Sequence, residues 1–288
     1  MDQFAIAGLQ LEVANQDNRP AIRTQVERIK RSFPWVEMIV VGELASFGSS
    51  PDHAEPAGGE TEAFYRELAC ENCVWLVPGS IFERDGDEVY NTALVINPQG
   101  ETIARYRKQF PFLPYEKGVS AGSDGVVFDV PNVGRFGLSI CYDQWFPETT
   151  RNLVWMGAEV ILCPTMTNTI DRDLELCIAR ANAGINQCYF FNINVAGSLG
   201  NGRSVAVSPE GIVLHEAGTR TEIIPVEVDL GLVRRVRERG VFGLGQVLKS
   251  FRDSKVEFPA YALDQRRSAA LEALGPLVVP GPLEHKPK

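Results

Sequence analysis

Histidine is scarce in this chain. The 288 residues hold three, His53, His215 and His285, and they are scattered. The six cysteines include one C-x-x-C, Cys70 and Cys73, with no second pair and no histidine pair at ligand spacing. That pattern argues against a zinc site, and Cys70 and Cys73 are expected at the buried end of a helix. Basic residues are also short: 28 Lys and Arg against 37 Asp and Glu leave a net charge of -9. Phosphate binding needs a basic surface, so no nucleic-acid partner is expected. No apolar run approaches the roughly 20 residues of a membrane span, so no membrane partner is expected either. The opening MDQFAIAGLQLEV carries an acid at position 2 and no basic stretch before its apolar run. It reads as a first strand rather than a signal peptide, and the cytoplasm is the expected compartment. There is no low-complexity segment, no repeat at solenoid period and no Pro/Ser-rich linker within residues 1–240. One catalytic domain over 1–240 is the simplest organisation, followed by an extension over 241–288. Pro276, Pro280, Pro282 and Pro287 argue against helix there. The extension is expected to pack on the domain or on a partner subunit.

What is present is a long alternation of strand-like and helix-like runs. FAIAGLQLEV, EMIVVGEL, VWLVPGSIFE, VYNTALVINP and ETIARYRK read as strands. Pro20 suits the first turn of a helix whose Ile22, Val26, Ile29 and Phe33 recur at helical spacing. GVVFDVPNVGRFGLSI reads as a hairpin, and a helix opens at Pro147. A further helix over 171–187 carries Leu174, Cys177, Ile178, Ala181 and Ile185 on one apolar face. Later strands and a short basic helix, VRRVRERG, complete the pattern. Interleaved helices and several hairpins predict an α/β protein with mixed sheets.

Two nucleophiles compete. Gly118-Val119-Ser120-Ala121-Gly122 matches G-x-S-x-G, but that motif works only on a sharp strand-to-helix turn. Here FPFLPYEK precedes it and Ser123-Asp124-Gly125 follows, which reads as a loop of small residues. Cys141, in SICYDQWFPE, sits where a strand stops and a helix is about to start. Such elbows expose a side chain at the carboxyl end of a sheet. A thiol with an unperturbed pKa near 8.5 needs a base. Neither His53, in a loop, nor His215, in a strand, is well placed for that, so a carboxylate is the alternative. Glu43 ends an apolar strand, where low dielectric raises a carboxyl pKa toward values suited to proton transfer. It can equally be the first solvated residue after that strand. Lys108 ends ETIARYRK, and alternation places it with Tyr106 and Ala104, opposite Arg105 and Arg107. A positioned ammonium there would stabilise an oxyanion; three solvated cations on an edge strand is the plainer alternative.

Taken in order, these stretches resemble the nitrilase superfamily of carbon–nitrogen hydrolases. Glu43 in VVGELASFG, Lys108 in ARYRKQFPF and Cys141 in LSICYDQWFPE match its Glu–Lys–Cys arrangement over about residues 3–240. The resemblance implies an αββα four-layer sandwich of two mixed β-sheets flanked by helices. It also implies pairing, into a homodimer or higher homo-oligomer, through the helices after Cys141 and Asp171. Members acting on nitriles follow the cysteine with Trp-Glu, whereas this chain has Tyr142-Asp143, as in the amide-hydrolysing branches. Pro111-Phe112-Leu113-Pro114-Tyr115-Glu116 is similar to the segment whose glutamate helps position substrate, so Glu116 joins the set. Tyr142, Phe112, Trp145 and Asp143 are the expected substrate contacts. With Phe146, the aromatic ones would crowd the pocket toward small or apolar acyl groups. The implied substrate is a small-molecule amide, hydrolysed through a thioester with no metal or organic cofactor. An N-carbamoyl amide hydrolase, holding a substrate carboxylate with Arg172 or Arg203, is the second reading. A non-catalytic scaffold on this fold is the third.

Overall fold

The computed structural model describes residues 2–262 and 268–281. Two mixed sheets face each other. The first, of eight strands, runs Glu222–Asp229, Gln3–Gln10, Met38–Val41, Trp75–Val77, Glu88–Ile96, Ser80–Asp85, Glu55–Pro56, with Thr102–Arg107 also paired to Glu88–Ile96. The second, of six, runs Val213–Glu216, Val205–Val207, Tyr189–Asn194, Val160–Thr165, Gly134–Leu138, Val126–Val130. Helices Arg19–Ser32 and Glu60–Glu71 cover the outer face of the first sheet. Helices Pro147–Trp155 and Arg172–Asn186 cover that of the second.

Side-chain alternation builds these layers. Val40 points between the sheets to meet Leu162 and Ile193, while its neighbours Ile39 and Val41 face Ile22 and Leu68 of the outer helices. In the second sheet, Leu162 points between the sheets and Ile161 and Cys163 face Leu176 and Ala179. A strand buried on both faces reads as an unbroken apolar run, as MIVV does. Each fully buried Leu or Ile contributes roughly 1.5–3 kcal/mol, so the central strands anchor the fold.

The structure departs from the sequence expectations in five places, the first being FAIAGLQLEV, which breaks at Leu11 into Gln3–Gln10 and Glu12–Val13. VWLVPGSIFE is two strands, Trp75–Val77 and Ser80–Asp85, broken at Pro78-Gly79. The apolar stripe read on the helix over 171–187 is its outer side: Leu174 is 51% and Ile185 40% exposed, and Cys177 is exposed. The buried face is Leu176, Ala179 and Ala183 together with polar Arg172, Glu175, Asn182 and Asn186. Those polar groups hydrogen-bond to one another and to the Gln144 carbonyl, so burial there does not follow hydropathy. Cys70 and Cys73 are free thiols at an exposed helix end rather than a buried one. Finally, the extension keeps some helix, in Val247–Arg252 and Ala269–Glu272. Phe251 meets Trp155 edge-on at 5.5 Å, and Leu248 packs beside the second outer layer. Pro276 and Pro280 are outside any helix, while Pro282 and Pro287 lie outside the described residues. Among the described residues, no helix is long and apolar enough to cross a membrane.

The break at Gly79 holds a neighbouring turn in place. Its φ is +84°, and an added Cβ would lie 1.8 Å from the carbonyl oxygen of Gly42. Next to it, Ser80 Oγ accepts the Leu44 N–H at 3.1 Å. The two contacts clamp the turn that carries Glu43. Gly79→Ala is therefore expected to cost about 3 kcal/mol or more of unfolding free energy in denaturant titration. Gly86→Ala, also at positive φ but with nothing within 4 Å of its Cβ, should cost about 1 kcal/mol. Equal losses would contradict the close approach as the cause.

Candidate active site

Three strand ends converge on one buried point. The chain leaves Met38–Val41 through Gly42, and Glu43 follows with its side chain 3% exposed. Its backbone N–H donates to the Thr165 carbonyl at 3.1 Å, tying the first sheet to the second. Thr102–Arg107 ends one residue before Lys108, whose side chain is 1% exposed. Alternation sorts that strand as its spacing requires. Arg105 and Arg107 turn to Glu62, Glu83 and Asp85, while Tyr106 and Lys108 turn inward. Cys141 follows Gly134–Leu138 and opens a tight 3-10 turn, Cys141–Trp145, with φ of 45°. A non-glycine residue held in that left-handed region is strained, a state concentrated at functional sites.

Lys108 Nζ lies 2.8 Å from Glu43 Oε1 and 2.9 Å from Glu116 Oε2. Glu116 also accepts the Phe112 N–H, which folds the Pro-aromatic segment over the ammonium. The Cys141 thiol lies near enough to Glu43 and Lys108 for both charges to act on it. Its Sγ lies 3.7 Å from Thr167 Oγ1. Burial pushes the Glu43 carboxyl up; Lys108 pulls it down and Glu116 pushes it up again, and the net shift is upward. Burial alone would lower Lys108, but Glu43 and Glu116 outweigh it and hold the ammonium well above its ordinary range. For Cys141, burial and the Glu43 charge raise the thiol strongly, with Lys108 opposing. The resting cysteine is therefore a neutral thiol near a carboxylate that can receive its proton.

The other sequence-predicted residues sort less evenly. Phe112 stacks on Tyr115 at 4.8 Å and meets Tyr142 edge-on at 4.9 Å. Tyr142 in turn contacts Phe146 at 5.2 Å, so Phe112, Tyr142 and Phe146 form one aromatic cluster through the residue that follows Cys141. Trp145 points its Nε1 at Glu175, 3.4 Å away. Asp143, expected as a substrate contact, is fully buried and turned away. Its carboxylate accepts from the Tyr106 hydroxyl at 2.6 Å, the Phe110 N–H at 2.8 Å and the Ile140 N–H at 2.9 Å. With both oxygens engaged it braces the cysteine turn rather than meeting a ligand. Burial lifts its pKa to about 6 against those three donors.

Ser120 lies in a loop and bonds to Glu88, with no strand-to-helix turn around it. His53 stacks on Phe47 in a short 3-10 turn, and His215 pairs with Glu222 on an edge strand. Arg172, a candidate for holding a substrate carboxylate, is 3% exposed and committed to Glu175, Asn192 and the Arg203 carbonyl. Arg203 is paired with Asp173 and Glu216. Sequence reasoning missed three residues, Thr167, Glu175 and Asn91. Thr167 bridges Cys141 Sγ to Glu175 Oε1, the latter at 3.1 Å. Asn91 donates to Glu43 at 2.8 Å. A signal for Asn91 existed, since it shares the inward face with Ala93 and Val95, where alternation calls for an apolar side chain.

Known proteins share this fold and part of this sequence. The yeast Nit3 structure (Saccharomyces cerevisiae), from branch 10 of the nitrilase superfamily, superposes with a TM-score of 0.76 at 30% identity, over 82% of this chain and 94% of that one. Formamidase of Helicobacter acinonychis is 30% identical across 68% of this chain, and formamidase of Bacillus thuringiensis 33% identical across 67%. Those matches span 64% and 63% of the two relatives' own lengths. The sequence model of the carbon-nitrogen hydrolase family matches residues 5–238. With that match and a fold in which Glu43, Lys108 and Cys141 meet, the chain belongs to the carbon–nitrogen hydrolase family.

Proposed function

We propose that this chain is a cysteine-dependent amidase that hydrolyses a small, aliphatic carboxamide to the acid and ammonia. The observation that carries the reading is the buried Lys108 ammonium held between Glu43 and Glu116, with the buried Cys141 thiol in the field of Glu43 and Lys108. Glu43 takes the thiol proton and the thiolate attacks the amide carbon. The oxyanion that forms is stabilised by Lys108 and the backbone N–H of Tyr142. Collapse breaks the carbon–nitrogen bond as protonated Glu43 hands its proton to the departing nitrogen, which leaves as ammonia. Water then attacks the thioester, Glu43 receives its proton, and the acid departs as Cys141 recovers the thiol. Glu116 holds Lys108 in place and closes the Phe112 segment over it.

The formamidase relatives support a small acyl group, and so does the cluster of Phe112, Tyr142 and Phe146. The commitments of Arg172 and Arg203 weigh against the N-carbamoyl reading, which needs a free cation. The exposed apolar side of Arg172–Asn186, with Leu174 and Ile185, and the neighbouring Trp155 support self-association into a homodimer or larger homo-oligomer. A cytoplasmic location completes the proposal.

Ammonia release over a panel of formamide, acetamide, longer amides, carbamoyl compounds and nitriles tests the assignment. Activity should fall steeply with acyl length and vanish in Cys141→Ala; substantial turnover by that variant would sink the mechanism. Lys108→Met should lower kcat by roughly 100-fold or more, as loss of an oxyanion donor does. The pH profile offers a separate check. Glu43 acts deprotonated and its pKa is raised by burial. Activity should therefore be lost as pH falls through a midpoint above the ~4.3 of an ordinary glutamate. Lys108 is held well above its ordinary range, so no alkaline loss from that residue is expected up to about pH 10. An acid midpoint at or below about 4 in kcat/KM would contradict a buried base.

A further inference from the structure

Asn91 lies in the strand Glu88–Ile96 and is completely buried. It touches every charged member of the site. Its backbone carbonyl accepts the Lys108 main-chain N–H at 2.8 Å, which fixes the residue that carries the ammonium. Its side-chain amide donates to Glu43 Oε1 at 2.8 Å and lies 3.4 Å from Glu116 Oε1. Meanwhile its Oδ1 is buried with no hydrogen-bond partner. An orphaned buried acceptor is costly. A leucine of similar volume would fill the space without that penalty. The amide is therefore explained by what its N–H end does.

That end answers an electrostatic deficit. Two carboxylates, buried Glu43 and partly exposed Glu116, share one buried ammonium, Lys108. The groups facing Glu43 are Lys108, Glu116 and Cys141, and Glu175 lies behind Cys141. Three of the four are acids or become anionic during reaction, so Glu43 is under pressure to stay protonated. A protonated Glu43 cannot accept the thiol proton. An N–H donor on Oε1 favours the ionised form and fixes which way the carboxylate points. We propose that Asn91 is the positioning residue that keeps Glu43 deprotonated and aimed at Cys141, and so sets the acid limit of the reaction. The proposal rests on the amidase reading for the role of Glu43 as base.

The test reads Glu43 in two ways, by alkylation of Cys141 with methyl iodide, followed by peptide mass spectrometry, and by kcat/KM for ammonia release, both against pH. Asn91→Leu keeps the volume and leaves the main-chain carbonyl that holds Lys108. Its acid limb should rise by about one pH unit in both assays, the effect of losing one hydrogen bond to a charged group. Above the limb its alkylation rate should equal or exceed that of the unaltered protein, because a more basic Glu43 takes the thiol proton more readily. Asn91→Asp has the same size and adds a third carboxylate, so its limb should rise further. A limb that stays in place in both variants overturns the proposal. So does a uniform fall in rate at every pH, the mark of a merely structural residue, or failure of both variants to fold. Methyl iodide carries no amide, so the alkylation assay is independent of amide binding and separates the two claims. A shifted alkylation limb without amide turnover supports Asn91 and sinks the amidase reading. Turnover with an unmoved limb sinks only the role of Asn91.

Discussion

The structure turns on one buried ammonium. Lys108 carries its charge at 1% exposure, between Glu43 and Glu116. A lone charge in such a place is prohibitively costly, and removing one partner of a buried pair typically destabilises by about 3–5 kcal/mol. The ion pair thus fixes more than its own geometry. It joins the ends of Met38–Val41 and Thr102–Arg107, which are not neighbours in the sheet, and ties the Pro111–Glu116 segment to the site. Apolar side chains of the same volume would hold the fold as well or better. A charged cluster here is an expense that function explains better than stability.

The two sheets make that cluster possible. Glu43 and Lys108 come from the first sheet and Cys141 from the second, so the sandwich itself sets their distance. The Glu43 N–H on the Thr165 carbonyl pins the sheets together at this point. Asp143 anchors the other side, reaching from the cysteine turn to Tyr106, two residues before Lys108. Nucleophile, base and cation are each held by main-chain or buried side-chain contacts, and none depends on a mobile surface group. Preorganisation of this kind lets fixed charges stabilise a developing oxyanion without reorganising at the moment of reaction.

Much of this was legible in the sequence, for identifiable reasons. Glu43 and Cys141 end apolar strands, Lys108 ends a basic one, and the three stand out through their order along the chain; period-two alternation correctly separated Lys108 from Arg105 and Arg107. What was hidden depends on contacts between distant segments. Asp143 looks like a pocket residue until Tyr106, Phe110 and Ile140 are brought around it. The helix Arg172–Asn186 misled because its inner face buries Arg172, Glu175, Asn182 and Asn186, while Leu174 and Ile185 stay outside. The strand break at Pro78-Gly79 was written in the residues, but its cause, the approach of Gly42, is tertiary. Asn91 violated the inward pattern of its own strand, and that violation marks its place beside the charges.

At the centre stands the claim that Glu43 and Lys108 arm Cys141 to form a covalent acyl intermediate. Acid-quenching the protein during turnover of a small amide and measuring its mass tests this directly. The predicted result is a gain equal to the acyl group, carried on the peptide that contains Cys141 and absent from Glu43→Gln. Turnover with no adduct at any quench time, or an adduct on Ser120 or another cysteine, would contradict it.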